Sequence, residues 1–235
     1  MRRAIRLSVR VFADSFNARG PVAEIGSFYP PGYQDLCDLR PFFRGVEFFG
    51  CDLRRGLGVD LIEDAQALSF ADNSIGTIML FEILEHLPHP EKAIAEAWRV
   101  LDNHGLLALS VPFTYRVHGL PSDYWRFTSS GIHTLLSAFS EKIVFAVGPR
   151  LKPAFIFAVA AKTAFSEFEE HSTLFRSKVH QAFHDSRLQG HISILKERAR
   201  DFLGHLLGRA DVGVTFFDPN MEPCFAYKDH EYEDT

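Results

Sequence analysis

Four short segments in the first ninety residues each follow an apolar run and carry a glycine or a carboxylate. Glu24-Ile25-Gly26-Ser27 is the first. Asp52 closes the run Glu47–Asp52, Asp64-Ala65 closes Val59–Asp64, and Phe81-Glu82 closes Thr77–Phe81. A glycine at the end of a strand lets a ligand approach the backbone closely. An acid after the second run can accept both hydroxyls of a ribose, and one after the third can receive an adenine amino group. Taken singly each is ambiguous. A carboxylate after a strand also caps a helix or sits solvated in a loop, and a turn glycine needs no ligand. Their shared position gives them weight, because open parallel sheets bind ligands at the carboxyl ends of their strands.

A second set follows. Glu82, Glu85 and His86 form an E-x-x-E-H cluster. On a helix, Glu82 and His86 would share a face. Carboxylate and imidazole suit Mg²⁺, Mn²⁺ or Zn²⁺ without selecting one, with His118 as a further donor. The competing reading makes Glu85-His86 the start of a helix, and no metal is expected. His86 can also serve as a catalytic base, since imidazole titrates near neutrality, or pack beside Pro88. Asp123-Tyr124-Trp125-Arg126 combines apolar area with polar tips, which suits a pocket wall. Tyr124, Arg126 and His118 are the expected substrate-side residues. Trp125 and Phe127 would anchor the next helix.

These residues need a frame. Val22–Gly26, Glu47–Asp52, Val59–Asp64, Thr77–Phe81, Leu106–Val111 and Lys142–Val147 read as strands. Thr77–Phe81 is wholly apolar, as a central parallel strand should be. Between them, Glu91–Leu101 carries Ala93, Ile94, Ala97, Trp98 and Leu101 at one-face helical spacing. The loop Asp102–Gly105 ends that helix. Thr128 is placed to cap a helix bearing Ile132, Leu135, Leu136 and Phe139. Alternating strands and helices predict a doubly wound, mostly parallel sheet.

Residues 1–20 predict a short basic amphipathic helix, and 21–150 the ligand-binding core. Residues 151–210 read as a helical insertion, a lid or a homodimer surface. Residues 211–235 hold the final strands, Val212–Phe217 and Cys224–Lys228, and an acidic tail. One elaborated domain is expected.

The chain has 235 residues, 25 basic and 30 acidic, for a net charge of −5. No basic face argues for a nucleic-acid partner. The longest apolar run, Pro153–Ala161, is far short of the roughly 20 residues that span a bilayer, so no membrane association is expected. Cys37, Cys51 and Cys224 lack metal or disulfide spacing, which fits a reducing, cytoplasmic setting. The 23 phenylalanines are read as core packing rather than a binding strip.

In sequence, Val22–Phe139 resembles the class I S-adenosylmethionine (SAM)-dependent methyltransferase family, in particular its bacterial, type-11-like small-molecule group. VAEIGS resembles the family's first motif and GCDLRRGLGVD its second. EDAQALSFADNSIGTIMLFEILEHLPHPEKAIAEAWRVL resembles the run from the adenine-contacting acid through the fourth strand and its helix. LDNHGLLALSVPF resembles the fifth-strand motif, and PSDYWRFTSSGIHTLLSAF a segment of one subgroup. The match spans about half the chain, with the motifs in order.

The resemblance implies a Rossmann-like, seven-stranded α/β fold, with the helical insertion before the last strand, and SAM as cofactor. Glu24, Gly26 and Ser27 would line its methionine and ribose end. Asp52 would hold the ribose, with Leu53 against the adenine, and Asp64 and Ala65 would contact the adenine edge. Phe81 would lie near the sulfonium. One departure stands out. Phe28 and Pro30 occupy the second and third glycine positions of E-x-G-x-G-x-G, and Gly32 supplies a turn further along. The implied function is methyl transfer to a small-molecule acceptor, and the nearby histidines point to an oxygen as the atom methylated. The alternative is a methyltransferase-fold binding or assembly protein without catalysis. A dehydrogenase would need G-x-G-x-x-G, which the first turn lacks.

Overall fold

The computed structural model describes residues 3–119, 121–149, 151–184 and 213–216. Eight strands form one sheet in the order β3-β2-β1-β4-β5-β7-β6-β8. They are β1 Val22–Ile25, β2 Phe48–Asp52, β3 Leu61–Ile62, β4 Ile75–Phe81, β5 Leu101–Pro112, β6 Glu141–Gly148, β7 Phe155–Ala161 and β8 Gly213–Phe216. The pairings from β3 through β5 are parallel. Those of β7 with β5 and β6, and of β8 with β6, are antiparallel. The mostly parallel doubly wound sheet expected from the sequence is present, with an antiparallel end.

β4 is central, and all seven of its residues are buried. That is why its sequence shows no alternation and is apolar but for Thr77, whose hydroxyl donates to Arg19 O at 2.8 Å. β5 starts earlier than expected. Ile75 pairs with Leu101 but Thr77 with Leu106, so Asp102–Gly105 forms a bulge within the strand instead of a loop before it. An extra stretch of this kind keeps the flanking residues in register while bending the strand.

Helices cover both faces, giving three layers. α1 Arg3–Phe16 turns Ile5, Val9, Phe12 and Phe16 inward, and a single turn, α2 Gln34–Cys37, follows β1. α5 Phe168–His184 buries Phe168, Phe175, Val179 and Phe183 beside them, against Phe145 and Phe157 of the sheet. Phe175 packs its ring 5.7 Å from those of Phe16 and Phe145. Each such side chain contributes about 1.5–3 kcal/mol by leaving water. The phenylalanines of this layer are core. On the opposite face, α3 Pro90–Val100 buries Ala93, Ile94, Ala97 and Val100, while α4 Ser129–Leu135 buries Ile132. Trp98 is exposed, not inward, with Lys162 Nζ 4.4 Å above its ring. Thr128 caps α4 as expected, accepting from Gly131 N at 3.0 Å.

The helical reading of residues 151–210 changes at its start. The segment opens with a strand, β7, buried at every position between β5 and β6. Its described helix, α5, beds its apolar stripe on the sheet and α1. The rest of the expected insertion, 185–210, lies outside the described residues, as does Cys224–Lys228.

Candidate active site

Strand order reverses between β1 and β4, and ligand clefts open beside such a switch point. The carboxyl ends of β1, β2, β4 and β5 therefore define the site.

At the end of β1, Gly26 has φ +88°, and a Cβ there would lie 2.3 Å from Ile83 Cγ2. Both the backbone conformation and the approach of the β4 exit exclude a side chain. Gly26 N and Ser27 N donate to the Cys51 carbonyl at 2.7 and 3.0 Å, fastening the turn to β2. Ser27 Oγ donates to the same oxygen at 3.2 Å. The bulky residues that follow are accommodated by a loop running along the β2–β3 connection. The Phe28 ring lies against Gly56, where a Cβ would sit 2.4 Å from Phe28 Cε2, and Tyr29 N donates to Leu57 O at 3.2 Å. Gly32 makes the later turn with φ +85°.

Glu24 is buried, and burial pushes its carboxyl up to about 8 against the opposing pull of Arg40. Asp52 is 8% exposed. Its Oδ1 accepts from Arg54 N at 2.9 Å and Arg54 Nε at 3.0 Å, and its Oδ2 faces Arg54 Nη2 at 3.4 Å. The same guanidinium lies 4.3 Å over the Phe28 ring. Leu53 is largely exposed beside Asp52. Asp64 sits at the end of the β3 segment, where its Oδ1 accepts from Gln66 N at 2.9 Å, a turn-stabilising bond. Ala65 beneath it is buried in the α3-side core. The Phe81 side chain is buried in the other layer, stacked 5.7 Å from Phe157.

Beyond β4 the expected helix does not form at once. Glu82 has φ +56°, and Leu84–His86 make a single 3-10 turn, with α3 starting at Pro90. Glu82 and His86 therefore do not share a helix face. The structure instead joins Glu85 and His86 to His118 from the segment after β5. His86 Nε2 and His118 Nε2 lie 3.8 and 3.9 Å from Glu85 Oε1, and the imidazole centroids are 4.7 Å apart. His86 Nδ1 bonds the Ser122 carbonyl. Burial and the nearby Glu82 carboxylate push Glu85 up to about 8, while burial, then His86, lower His118. One donor atom from each of the three residues falls within a 4.8 Å cluster, a spacing that suits a cation.

Arg126 is committed to the loop. It pairs with Asp123 at 2.5 and 2.9 Å and reaches the carbonyls of Tyr115, Arg116 and Trp125. That pairing holds Asp123 far below the usual carboxylate range. Tyr124 N donates to Glu85 O at 2.7 Å and Trp125 Nε1 to Leu87 O at 2.9 Å, tying this loop to the β4 exit. Tyr115, Tyr124 and Trp125 are exposed, and the Tyr115 ring lies 4.9 Å from that of His118. Sequence reasoning missed Arg54 and the Asp123–Arg126 clamp. The D-x-x-R spacing was the available signal for the clamp, and D-x-R for Arg54.

One end of the site thus presents the Asp52 carboxylate beside the Gly26-Ser27 turn, and the other the Glu85, His86 and His118 cluster. Among known proteins, the family model described as a methyltransferase domain matches residues 51–109, from β2 into β5. No curated protein sequence matches the chain. A SAM-dependent methyltransferase of Archaeoglobus fulgidus is similar in structure, with TM-score 0.53 and 14% identity over 67% of this chain and 93% of that one. The Burkholderia thailandensis 1,6-didemethyltoxoflavin-N1-methyltransferase, solved with its namesake ligand and S-adenosylhomocysteine, gives 0.50 at 17% identity over 68% and 79%. The [4+2]-cyclase SpnF gives 0.50 at 14% over 67% and 80%. The chain thus carries a match to a methyltransferase domain from β2 into β5 and shares its fold with SAM-dependent methyltransferases of known structure.

Proposed function

We propose that this protein binds SAM beside Asp52 and transfers its methyl group to a small-molecule acceptor at a hydroxyl oxygen. The carrying observation is the placement of Asp52, a nearly buried carboxylate at the end of β2, next to the Gly26-Ser27 turn at the switch point. When bound, SAM supplies a methyl group on a sulfonium that is already a good electrophile. Asp52 orients the ribose, and Gly26 lets the cofactor reach the backbone without a Cβ in the way. Asp64, at the end of β3, and the exposed Leu53 frame the adenine side. Glu24 and Ser27 line the methionine side, and the backbone at Phe81 borders the transfer point.

The enzyme's own work is then placement of the nucleophile and exclusion of water. A hydroxyl must lose its proton during attack. His86 serves that role, because its Nδ1 can only donate to the Ser122 carbonyl, which leaves Nε2 as the basic nitrogen. His118 and Tyr124 line the acceptor end, and Arg126 positions it through Asp123.

The second reading, a methyltransferase-fold binder without turnover, draws on the Arg54 guanidinium, which already engages both Asp52 oxygens. Calorimetric titration with SAM and S-adenosylhomocysteine separates the readings. Binding of both, with methylated product from an acceptor panel, is expected. Absence of binding by either overturns the cofactor assignment, and tight binding without product on any acceptor favours the second reading.

A further inference from the structure

Three loop tips meet at the end of the site that holds the histidine cluster. The β5–β7 ladder runs on past both strands, with Phe113 N donating to Ala154 O and Thr114 N to Pro153 O, each at 3.2 Å. Beyond it the β6–β7 hairpin closes in a turn, where Lys152 N donates to Pro149 O at 2.9 Å. Gly148, with φ +127°, permits that closure, since a Cβ there would lie 2.7 Å from Ala154 N. On the other side Arg126 Nη2 reaches the carbonyls of Tyr115 and Arg116 at 3.4 and 3.3 Å, drawing the Tyr124–Arg126 loop against them.

What these tips expose is apolar and rimmed by positive charge. Leu151, at the corner of the hairpin turn, is 91% exposed, the most of any large apolar side chain among the described residues. Tyr115, Val117, Tyr124 and Trp125 are exposed with it. The indole N–H of Trp125 is bonded to Leu87 O, so the part of the ring left in solvent is apolar. Apolar groups gathered at one end of a molecule mark a contact surface. Arg116 and Lys152 are exposed among them. Segments 112–126 and 148–154 hold one carboxylate, Asp123, against Arg116, Arg126, Arg150 and Lys152. The Asp123 side chain is 1% exposed and paired with Arg126. The rim is therefore positive on a chain of net charge −5. Charge selects the partner. Lysine is depleted from protein–protein contacts, whereas single apolar and aromatic side chains standing between basic ones suit the headgroup layer of a membrane.

We propose that this rim docks on an anionic lipid surface, with Leu151 and the aromatic tips entering the headgroup layer and Arg116 and Lys152 meeting lipid phosphates. No helix among the described residues is long and apolar enough to cross a membrane, and surface docking requires none. Both terms are needed, because a few apolar tips hold a membrane weakly without charge. The sequence alone gives no sign of the surface, since Leu151 and Trp125 lie in separate segments that meet only in the fold. The docking stands on the rim itself. Its consequence rests on the proposed transfer reaction: the acceptor reaches the histidine end from the lipid side, which favours an amphipathic hydroxyl compound that partitions into membranes.

The test sediments the full chain, free of cofactor, with phosphatidylcholine vesicles and with vesicles of equal parts phosphatidylcholine and phosphatidylglycerol. The mixed vesicles should bind it about tenfold more tightly at low salt, and raised salt should weaken that binding. Leu151→Ser, a charge-neutral change at an exposed site, should reduce affinity for the mixed vesicles about threefold. The double variant Arg116→Gln, Lys152→Gln should reduce it about tenfold. Trp125 gives a readout besides affinity: in a Trp98→Phe background its emission should shift to the blue on the mixed vesicles. No binding by the native chain, equal binding to both vesicle types, unchanged affinity in folded Leu151→Ser, or an unshifted Trp125 emission overturns the proposal. So does self-association that Leu151→Ser abolishes, which would make the rim a contact between two copies of the chain. Calorimetry with SAM in the absence of vesicles reads the cofactor assignment separately, so the two readings fail independently.

Discussion

Arg54 grips Asp52 through its backbone N–H and its guanidinium, engaging both oxygens of the carboxylate that faces the cleft. The two oxygens a ribose would use are thus already occupied by a side chain that is two-thirds exposed. An exposed ion pair is worth only about 0–1 kcal/mol, so it competes with a ligand without blocking it. Arg54→Ala is expected to tighten S-adenosylhomocysteine binding about two- to fivefold, read by calorimetry. A weakened variant would make Arg54 part of the ribose site rather than its competitor.

Asp52→Ala should weaken binding of both SAM and S-adenosylhomocysteine by more than tenfold, because charge-assisted hydrogen bonds to two hydroxyls are lost together. Thermal unfolding of the variant, expected near that of the native chain, checks that the fold survives. An unchanged affinity would mean that the ribose lies elsewhere.

Glu24 links stability to pH. Its folded-state carboxyl is raised from 4.5 to about 8 by burial. Its stabilising contribution is therefore complete below pH 4.5 and is lost as pH rises to about 8, since only the unfolded chain gives up the proton easily in that window. Glu24→Gln, which cannot ionise, should gain stability relative to the native chain between pH 5 and 8, by on the order of a few kcal/mol. Urea denaturation at the two pH values measures the difference. A constant gap would place the Glu24 titration elsewhere.

Phe175→Ala should destabilise the protein by about 3–5 kcal/mol, the usual range for emptying a buried aromatic site. Phe175 is fully buried among Phe16, Phe145 and Phe157. Because α5 packs on α1 and the sheet and shares no described contact with Asp52 or Gly26, SAM affinity of the folded variant should be unchanged below its transition temperature. A parallel loss of affinity would restore a lid role to that helix.

Much of this architecture was legible beforehand, for physical reasons. β1, β2 and β4 are short apolar runs closed by turn residues, and burial on both faces demands that pattern. β7 escaped notice because Pro153–Ala161 is equally apolar. Its run lacks a period that separates strand from helix, and its partners lie 43 to 55 residues away in β5 or across a turn in β6. E-x-x-E-H reads as a helix start, and nothing local announces that Glu82 takes a left-handed turn. That single backbone reversal sends Glu85 inward, where it meets His118 rather than continuing a helical face. The Asp52 end was readable from strand-terminal acids. The Glu85–His118 meeting was not, because it depends on how two separate loops cross.

The cleft is assembled from two sources. Its Asp52 end rests on β1, β2 and β3, and its Glu85 end on the exits of β4 and β5, stitched together by Tyr124 N to Glu85 O and Trp125 Nε1 to Leu87 O. These stitches run within the acceptor half, between the two loops that build it. The acceptor half is in this sense a module. On the proposed reading, substitutions at the exposed Tyr115, Val117 or Tyr124 would alter acceptor choice and leave nucleoside binding at Asp52 unchanged, a handle on substrate choice alone.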